Sequence, residues 1–168
     1  MHVLITGGTG LFGKALVEGF LQKGCRVTFT TTNHEKAENL TKKIKKDSLG
    51  YEVVAFKSEE DVNSFVEANK NKQFDCLINN ARSLDGLKVD EFGYANQSSF
   101  ESEFFMAVTL PYLLTVGFLE SLKTVVNISS MYGVVPPNKN LYENGYATNP
   151  IQYGIAKAAQ IHLTKELA

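Results

Sequence analysis

Tyr153 and Lys157 stand four residues apart, so on a helix their side chains share one face. A phenol alone is too weak an acid to move protons well at neutral pH, and an ammonium beside it favours the phenolate form. Such a pair can give a proton to a carbonyl oxygen as hydride reaches the carbon, or take one back in reverse. Ser130, at the end of an apolar run, adds a hydroxyl able to donate to the same oxygen as charge develops there. Alone, a tyrosine and a lysine at this spacing are an ordinary pair on a helix surface. A Ser129-Ser130 strand end and a glycine loop far upstream turn the balance towards catalysis. Tyr132, Tyr142 and Tyr146 have no lysine four residues on.

That glycine loop is Gly7-Gly8-Thr9-Gly10-Leu11-Phe12-Gly13. The apolar run Met1–Thr6 precedes it, and apolar residues at helical spacing resume from Lys14 to Leu21. Strand, glycine-rich turn and helix form the setting a phosphate-binding fingerprint requires. Gly7 permits a tight turn, Gly10 lets the backbone approach a pyrophosphate, and Gly13 lets helix and strand pack closely. The free amides and positive end of the new helix then face the anion. The bland alternative is a glycine-rich turn with no ligand.

The second strand, Arg26–Thr30, leads into Thr31, Thr32 and Asn33, with His34 and Lys36 close behind. NAD-selective folds hold the ribose 2'-hydroxyl with an acidic residue here. No carboxylate stands here to repel a 2'-phosphate, and hydroxyls and a cation are present to bind it. The expectation is NADP(H) in preference to NAD(H), with Thr31 and Thr32 as contacts, although threonine and asparagine also suit a plain helix start.

Composition frames these sites. With 43% hydrophobic and 21% charged residues, the 168-residue chain is that of an ordinary globular domain. A net charge of -1 gives no electrostatic case for nucleic acid or an anionic membrane. Cys25 and Cys76 lack metal-ligand spacing and read as buried, reduced thiols, which points to the cytoplasm. The longest apolar stretch, Phe104–Leu119, is shorter than the ~20 apolar residues a bilayer requires and reads as a buried helix. Residues 35–46 form an amphipathic helix whose lysines are its wet face. Further strands are expected at Tyr51–Phe56, Asp75–Asn79 and Thr124–Ile128, and Ser58 with Asp61 forms a capping box. Strands alternating with helices imply a parallel sheet of the α/β class. The polar stretch from Arg82 to Gln97 is a long loop.

Four motifs in order, Thr6–Gly13, Asn79-Asn80-Ala81, Asn127–Ser130 and Tyr153–Lys157, resemble the short-chain dehydrogenase/reductase family over essentially the whole chain. The resemblance implies one NAD(P)-binding Rossmann domain over residues 1–168, a doubly wound parallel sheet of strand order 3-2-1-4-5. It implies Ser130, Tyr153 and Lys157 as catalytic residues, with Lys157 also holding the nicotinamide ribose. The implied dinucleotide contacts are Gly7, Thr9, Gly10, Leu11, Phe12, Gly13, Thr31, Thr32, Asn79, Asn80, Ala81, Tyr153 and Lys157. The substrate would be a small carbonyl compound or alcohol. Phe104–Leu119 and Ile151–Leu167 would form the interface of a homo-oligomer.

The chain also departs from the family pattern. Its Gly-x-x-Gly-x-x-Gly spacing looks like the extended, nucleotide-sugar branch. Arg82 stands where a glycine is common, and the adenine-contacting aspartate is absent around Ala55–Lys57. Ala107 occupies the position of an asparagine that anchors a proton-relay water. The insertion Pro136–Gly145 reshapes the entrance to the site and is similar to insertions in relatives of surface-glycan sugar pathways. Relatives continue beyond the position of Ala168 with two more strands and a substrate-binding loop, so the expectation is a fragment with an incomplete fold, the alternative being a partner that covers the exposed edge of the fifth strand. Two function classes follow: an NAD(P)-dependent oxidoreductase, or a protein that binds the dinucleotide without turning a substrate over.

Overall fold

Val3, Leu4 and Ile5 are all fully buried, which a strand achieves only when both faces of its sheet are covered. The computed structural model describes residues 1–83, 85–138 and 150–168. Packing divides them into two compact units, residues 1–81 with 113–128, and residues 82–112 with 129–168.

The first unit holds the sheet. Its elements are β1 (His2–Ile5), α1 (Leu11–Gln22), β2 (Arg26–Thr31), α2 (His34–Ile44), β3 (Leu49–Val53), α3 (Glu59–Asn69) and β4 (Cys76–Asn79). All strand pairs are parallel, and with β5 (Thr124–Asn127) the order is β3-β2-β1-β4-β5. The fold class and strand order expected from the sequence are those observed. Alternation sends Val3, Ile5, Val27, Phe29 and Ile78 to a core shared with Val17 and Leu21 of α1 and Ala37 and Leu40 of α2. Another part of the unit is built of aromatic rings. Phe74 packs edge-on to Phe118 at 5.1 Å between centroids and tilted against His2 at 4.6 Å, while Phe118 and Phe56 each meet Phe65.

Helix starts follow the sequence closely. Asn33 caps α2 by accepting from the Lys36 amide, and Ser58 and Asp61 form a reciprocal capping box on α3. The third strand differs from expectation. It runs Leu49–Val53 rather than Tyr51–Phe56, because register with β2 pairs Leu49 with Val27 and Val53 with Thr31. Phe56 is buried by its ring contact with Phe65, outside the sheet.

The second unit contains a 3-10 turn (Asp85–Leu87), α4 (Gln97–Phe104), a π-helical turn (Phe105–Thr109), a second 3-10 turn (Met131–Gly133) and α6 (Ile151–Glu166). Within α5 (Leu110–Gly117) the chain passes into the first unit. The apolar helix expected at Phe104–Leu119 therefore begins earlier, ends at Gly117 and is interrupted. Pro111, two residues after the end of the π turn, has no N–H to donate to the helical ladder, and its ring crowds the preceding carbonyls. Such turns recur at functional sites. Residues 139–145 of the insertion, with Tyr142 and Tyr146, lie outside the described residues. Among those described, no helix is long and apolar enough to cross a membrane, and both cysteines are free and buried.

The aromatic cluster generates a stability prediction. Phe74 is fully buried between His2 and Phe118. Phe74→Ala is expected to cost about 3–5 kcal/mol by urea unfolding; a loss below about 1 kcal/mol would mean that the cluster carries little of the fold.

Candidate active site

α6 starts after Pro150, which precedes the helix and accepts from the Tyr153 amide at 3.1 Å. Helical spacing then sets Gln152, Ala156 and Gln160 on one buried line, with Tyr153 and Lys157 alongside it. Tyr153 is half-buried, and Lys157 is buried. Among the described residues, two cations face the tyrosine ring: the Arg82 guanidinium at 4.8 Å from its centroid and Lys157 Nζ at 6.0 Å. Both separations fall within the ~6 Å range over which a ring face attracts a cation.

Ser130 is brought to this helix by two close backbone approaches. An added Cβ on Gly133 would lie 2.7 Å from the carbonyl carbon of Lys157, and one on Gly154 would lie 3.0 Å from the Tyr132 carbonyl oxygen. The Met131–Gly133 turn can therefore lie directly on α6. Ser129 Oγ fastens it by donating to the Lys157 carbonyl at 3.0 Å. Ser130 Oγ caps the turn, accepting from the Tyr132 amide at 3.2 Å. With one lone pair taken by that amide, its O–H hydrogen can turn towards a substrate oxygen. Ser130, Tyr153 and Lys157 thus belong to one packed unit.

Lys157 Nζ donates to Gln160 Oε1 at 2.9 Å. Burial pushes its ammonium below the ordinary lysine range; the Glu103 carboxyl pulls it back up, and Arg82 pushes it further down. Glu103 shows the converse. Burial raises its carboxyl above the usual range, opposed by Lys157 and then by Arg82.

Of the expected dinucleotide contacts, Tyr153 and Lys157 belong to the second unit, and the others, Gly7 to Gly13, Thr31, Thr32 and Asn79 to Ala81, lie in the first. Thr6 Oγ1 accepts from the amides of Asn80 at 3.0 Å and Ala81 at 2.9 Å. Asn80 Nδ2 returns bonds to the carbonyls of Thr6 and Gly7 at 2.9 and 3.2 Å. Asn79 Nδ2 donates to Asn127 Oδ1 at 2.8 Å, joining the ends of β4 and β5. The glycine loop is anchored to β2 by Gly8 N to the Thr30 carbonyl, and by a 2.7 Å hydrogen bond between the Thr9 and Thr31 hydroxyls. Thr31 also accepts from the Asn33 amide at 3.1 Å and is buried, whereas Thr32 is exposed.

This loop fits a pyrophosphate. Gly7 adopts φ 70°, and a Cβ on Gly13 would meet the Gly7 carbonyl oxygen at 2.2 Å, so the turn closes only with glycine at both places. Gly10, Leu11 and Phe12 are exposed. The Gly10 N-cap supplies no side-chain bond and the first turn of α1 has no acidic residue, so its amides can receive an anion.

Sequence reasoning missed Glu103, Gln152, Gln160, Gly133 and Gly154, and it did not link Arg82 to Tyr153. For Gly154 and Gln160 the signal was present, since both lie on the Tyr153 helix. Glu103 lies between the expected loop, Arg82–Gln97, and the expected apolar helix, Phe104–Leu119, in a stretch to which no element was assigned.

A family model described as short chain dehydrogenase matches residues 1–168. Isoepoxydon dehydrogenase patN of Penicillium expansum is 27% identical over 99% of this chain and 63% of its own length. A short-chain dehydrogenase of Leptospira borgpetersenii, solved with bound NAD+, is 25% identical with a TM-score of 0.80, over 99% of this chain and 64% of that one. RhlG of Pseudomonas aeruginosa, solved in an NADP active-site complex, is 22% identical with a TM-score of 0.82, over 99% and 65%. The chain thus spans less than two thirds of the length of these relatives.

The hydroxyl of Thr6 supports a prediction. Thr6→Val would leave the buried-side amides of Asn80 and Ala81 without their acceptor, at a cost of about 1–3 kcal/mol. Hydrogen exchange at those two amides should accelerate, while Thr6→Ser stays close to the parent. Unchanged exchange in Thr6→Val would show that the hydroxyl does not hold this junction.

Proposed function

The chain belongs to the short-chain dehydrogenase family, and on that premise we propose that it is an NAD(P)-dependent oxidoreductase acting on a carbonyl or secondary alcohol. The observation that carries this reading is the Met131–Gly133 turn pinned to α6, which joins a serine hydroxyl, a phenol and a buried ammonium in one unit. When bound, the nicotinamide dinucleotide supplies or accepts the hydride. Gly7, Gly10 and Gly13 hold its pyrophosphate against the amides of α1, with Thr9, Leu11 and Phe12 lining the turn. Asn79, Asn80 and Ala81 border its adenosine side. Tyr153 Oη gives its proton to the substrate oxygen in reduction and takes it in oxidation. Ser130 Oγ donates to that oxygen as negative charge builds, and Lys157 holds the nicotinamide ribose.

NADP(H) is the preferred dinucleotide in this reading. Thr32, His34 and Lys36 are exposed and none is acidic, while Glu35 in the first turn of α2 is the one carboxylate among them. A groove lined by Lys14, Lys36 and Lys43 adds positive charge between α1 and α2, tempered by Glu18. Thr31 is occupied by Thr9 and the Asn33 amide, so Thr32 is the freer hydroxyl. The second reading, a dinucleotide-binding protein without turnover, is favoured by one feature: Ala107 gives the buried inner face of the π turn no polar side chain.

Protein expressed from the complete reading frame, titrated with NADPH and NADH and assayed on a panel of ketones, aldehydes and sugars, tests both readings. NADPH should bind more tightly than NADH, and Gly10→Asp should abolish binding of each. Tyr153→Phe should bind cofactor but lose about 10²–10⁴-fold in turnover, the usual contribution of a general acid. Equal binding by Gly10→Asp, or full turnover by Tyr153→Phe, would overturn the corresponding role. Binding with no turnover of any carbonyl or alcohol selects the second reading.

We also infer a homo-oligomer formed through the apolar helices. Val116 and Leu119 are 48% and 64% exposed at the end of the α5 region, and Ile151 and Ile155 are 60% and 43% exposed on α6. Light scattering should give at least twice the monomer mass; a monomer at high concentration would refute this assembly.

A further inference from the structure

Arg82 stands directly after Asn79-Asn80-Ala81, where the family pattern commonly has a glycine, and it belongs with Tyr153 to the second unit. A glycine would bring no side chain to the tyrosine. This chain instead sets a guanidinium over the Tyr153 ring, 4.8 Å from its centroid. A guanidinium is a permanent cation with a planar fork. It can lie on a ring with its face and still present its N–H groups in the plane. At an exposed site such a contact is weak, so the ring places the cation without using up its capacity to bind an anion.

Arg82 is exposed, whereas the other cation at the ring, Lys157, is buried and donates to Gln160. Among the described residues no carboxylate lies within ion-pair distance of Arg82. Glu103 feels the arginine charge through space, but it is buried and its carboxyl group packs against Gly86. An accessible cation without an ion-pair partner therefore borders the phenol. Tyr153 Oη is bonded to the ring that the guanidinium covers. A carbonyl group held by that hydroxyl has its adjacent carbons within a side chain's reach of Arg82.

We propose that Arg82 sets the substrate class: a carbonyl compound with a carboxylate close to the carbonyl carbon, as in a 2-oxo or 3-oxo acid, or the matching hydroxy acid in the reverse direction. The proposal rests on Tyr153 being the proton donor, as in the reading above. A planar carboxylate meets a planar guanidinium in paired, charge-assisted hydrogen bonds. Its single negative charge is also what one guanidinium neutralises, whereas a phosphate dianion calls for a second cation. The added group leaves the reduction balanced as before. The carbonyl carbon takes a hydride from the reduced dinucleotide, its oxygen takes the Tyr153 proton, and the carboxylate passes intact into the hydroxy acid. Arg82 takes no part in these bond changes; it selects and orients.

The test compares pyruvate and acetoacetate with their methyl esters, which keep the carbonyl and lose the charge. Protein from the complete reading frame is used, with binding followed by calorimetry and turnover by dinucleotide oxidation. In at least one pair the acid should bind, and react in kcat/KM, about 10–100-fold better than its ester, the usual worth of charge-assisted hydrogen bonds. Arg82→Gln should collapse that ratio towards unity. Arg82→Lys, which keeps the charge and loses the fork, should give an intermediate ratio. A parent with no preference for the acid overturns the proposal. So does a preference that survives in Arg82→Gln, whether or not that variant binds dinucleotide more weakly. Calorimetry needs no turnover: a parent that binds dinucleotide but reduces nothing defeats the oxidoreductase reading, while the acid-to-ester binding ratio still decides the role of Arg82.

Discussion

Five strands that all run the same way must all end along the same edge of their sheet. That constraint of parallel pairing collects Thr6, Thr31, Asn79 and Asn127 at the carboxyl end of the first unit, though they are far apart in sequence. The hydrogen bonds there show what the constraint provides. One threonine hydroxyl takes two amides from the segment after β4, and one asparagine amide returns to the carbonyls at the start of the glycine loop. The loop is then fastened on its other side by Thr9 to Thr31 and Gly8 to Thr30. A turn made of glycines loses more conformational freedom on ordering than any other. These bonds meet that cost before any ligand arrives.

In the second unit the corresponding device is contact with α6. Gly133 and Gly154 allow the Met131–Gly133 turn to lie against the helix backbone, and Ser129 closes the contact with a hydrogen bond. Ser130 is thus oriented by its neighbours and by the bond its own Oγ accepts from the Tyr132 amide. A hydroxyl fixed in this way has little to reorganise when charge develops on a bound oxygen, which is where preorganised donors are most effective.

Much of this was legible in the sequence where a local rule controls the outcome. The capping box at Ser58 and Asp61, the Asn33 cap and the glycine turn at Gly7–Gly13 are set by residues within a few positions of one another, and they form where expected. The strand order followed from the resemblance carried by four motifs. Local pattern failed where distant partners decide. β3 is shifted towards Leu49 because pairing with β2 outweighs the apolar run ending at Phe56. The helix after Gln97 carries a π turn ahead of Pro111, which hydrophobic spacing cannot register. Gln160 and Gln152 look like solvated helix residues until the fold buries them.

Glu103 is the sharpest case of this limit. Its segment, Gln97–Phe104, has polar residues at most positions and reads as a wet turn or helix end, yet the carboxyl group is buried beneath Gly86. Stability alone gives little reason to bury it, since an apolar residue of similar volume would usually serve as well or better. Lys157 is held in an interior that penalises its charge, beside an arginine that penalises it further. The buried polar groups of α6 are each tied to a near neighbour: Lys157 donates to Gln160, Gln152 donates to the carbonyls of Gly86 and Lys88, and the Arg82 guanidinium lies over the Tyr153 ring beside them.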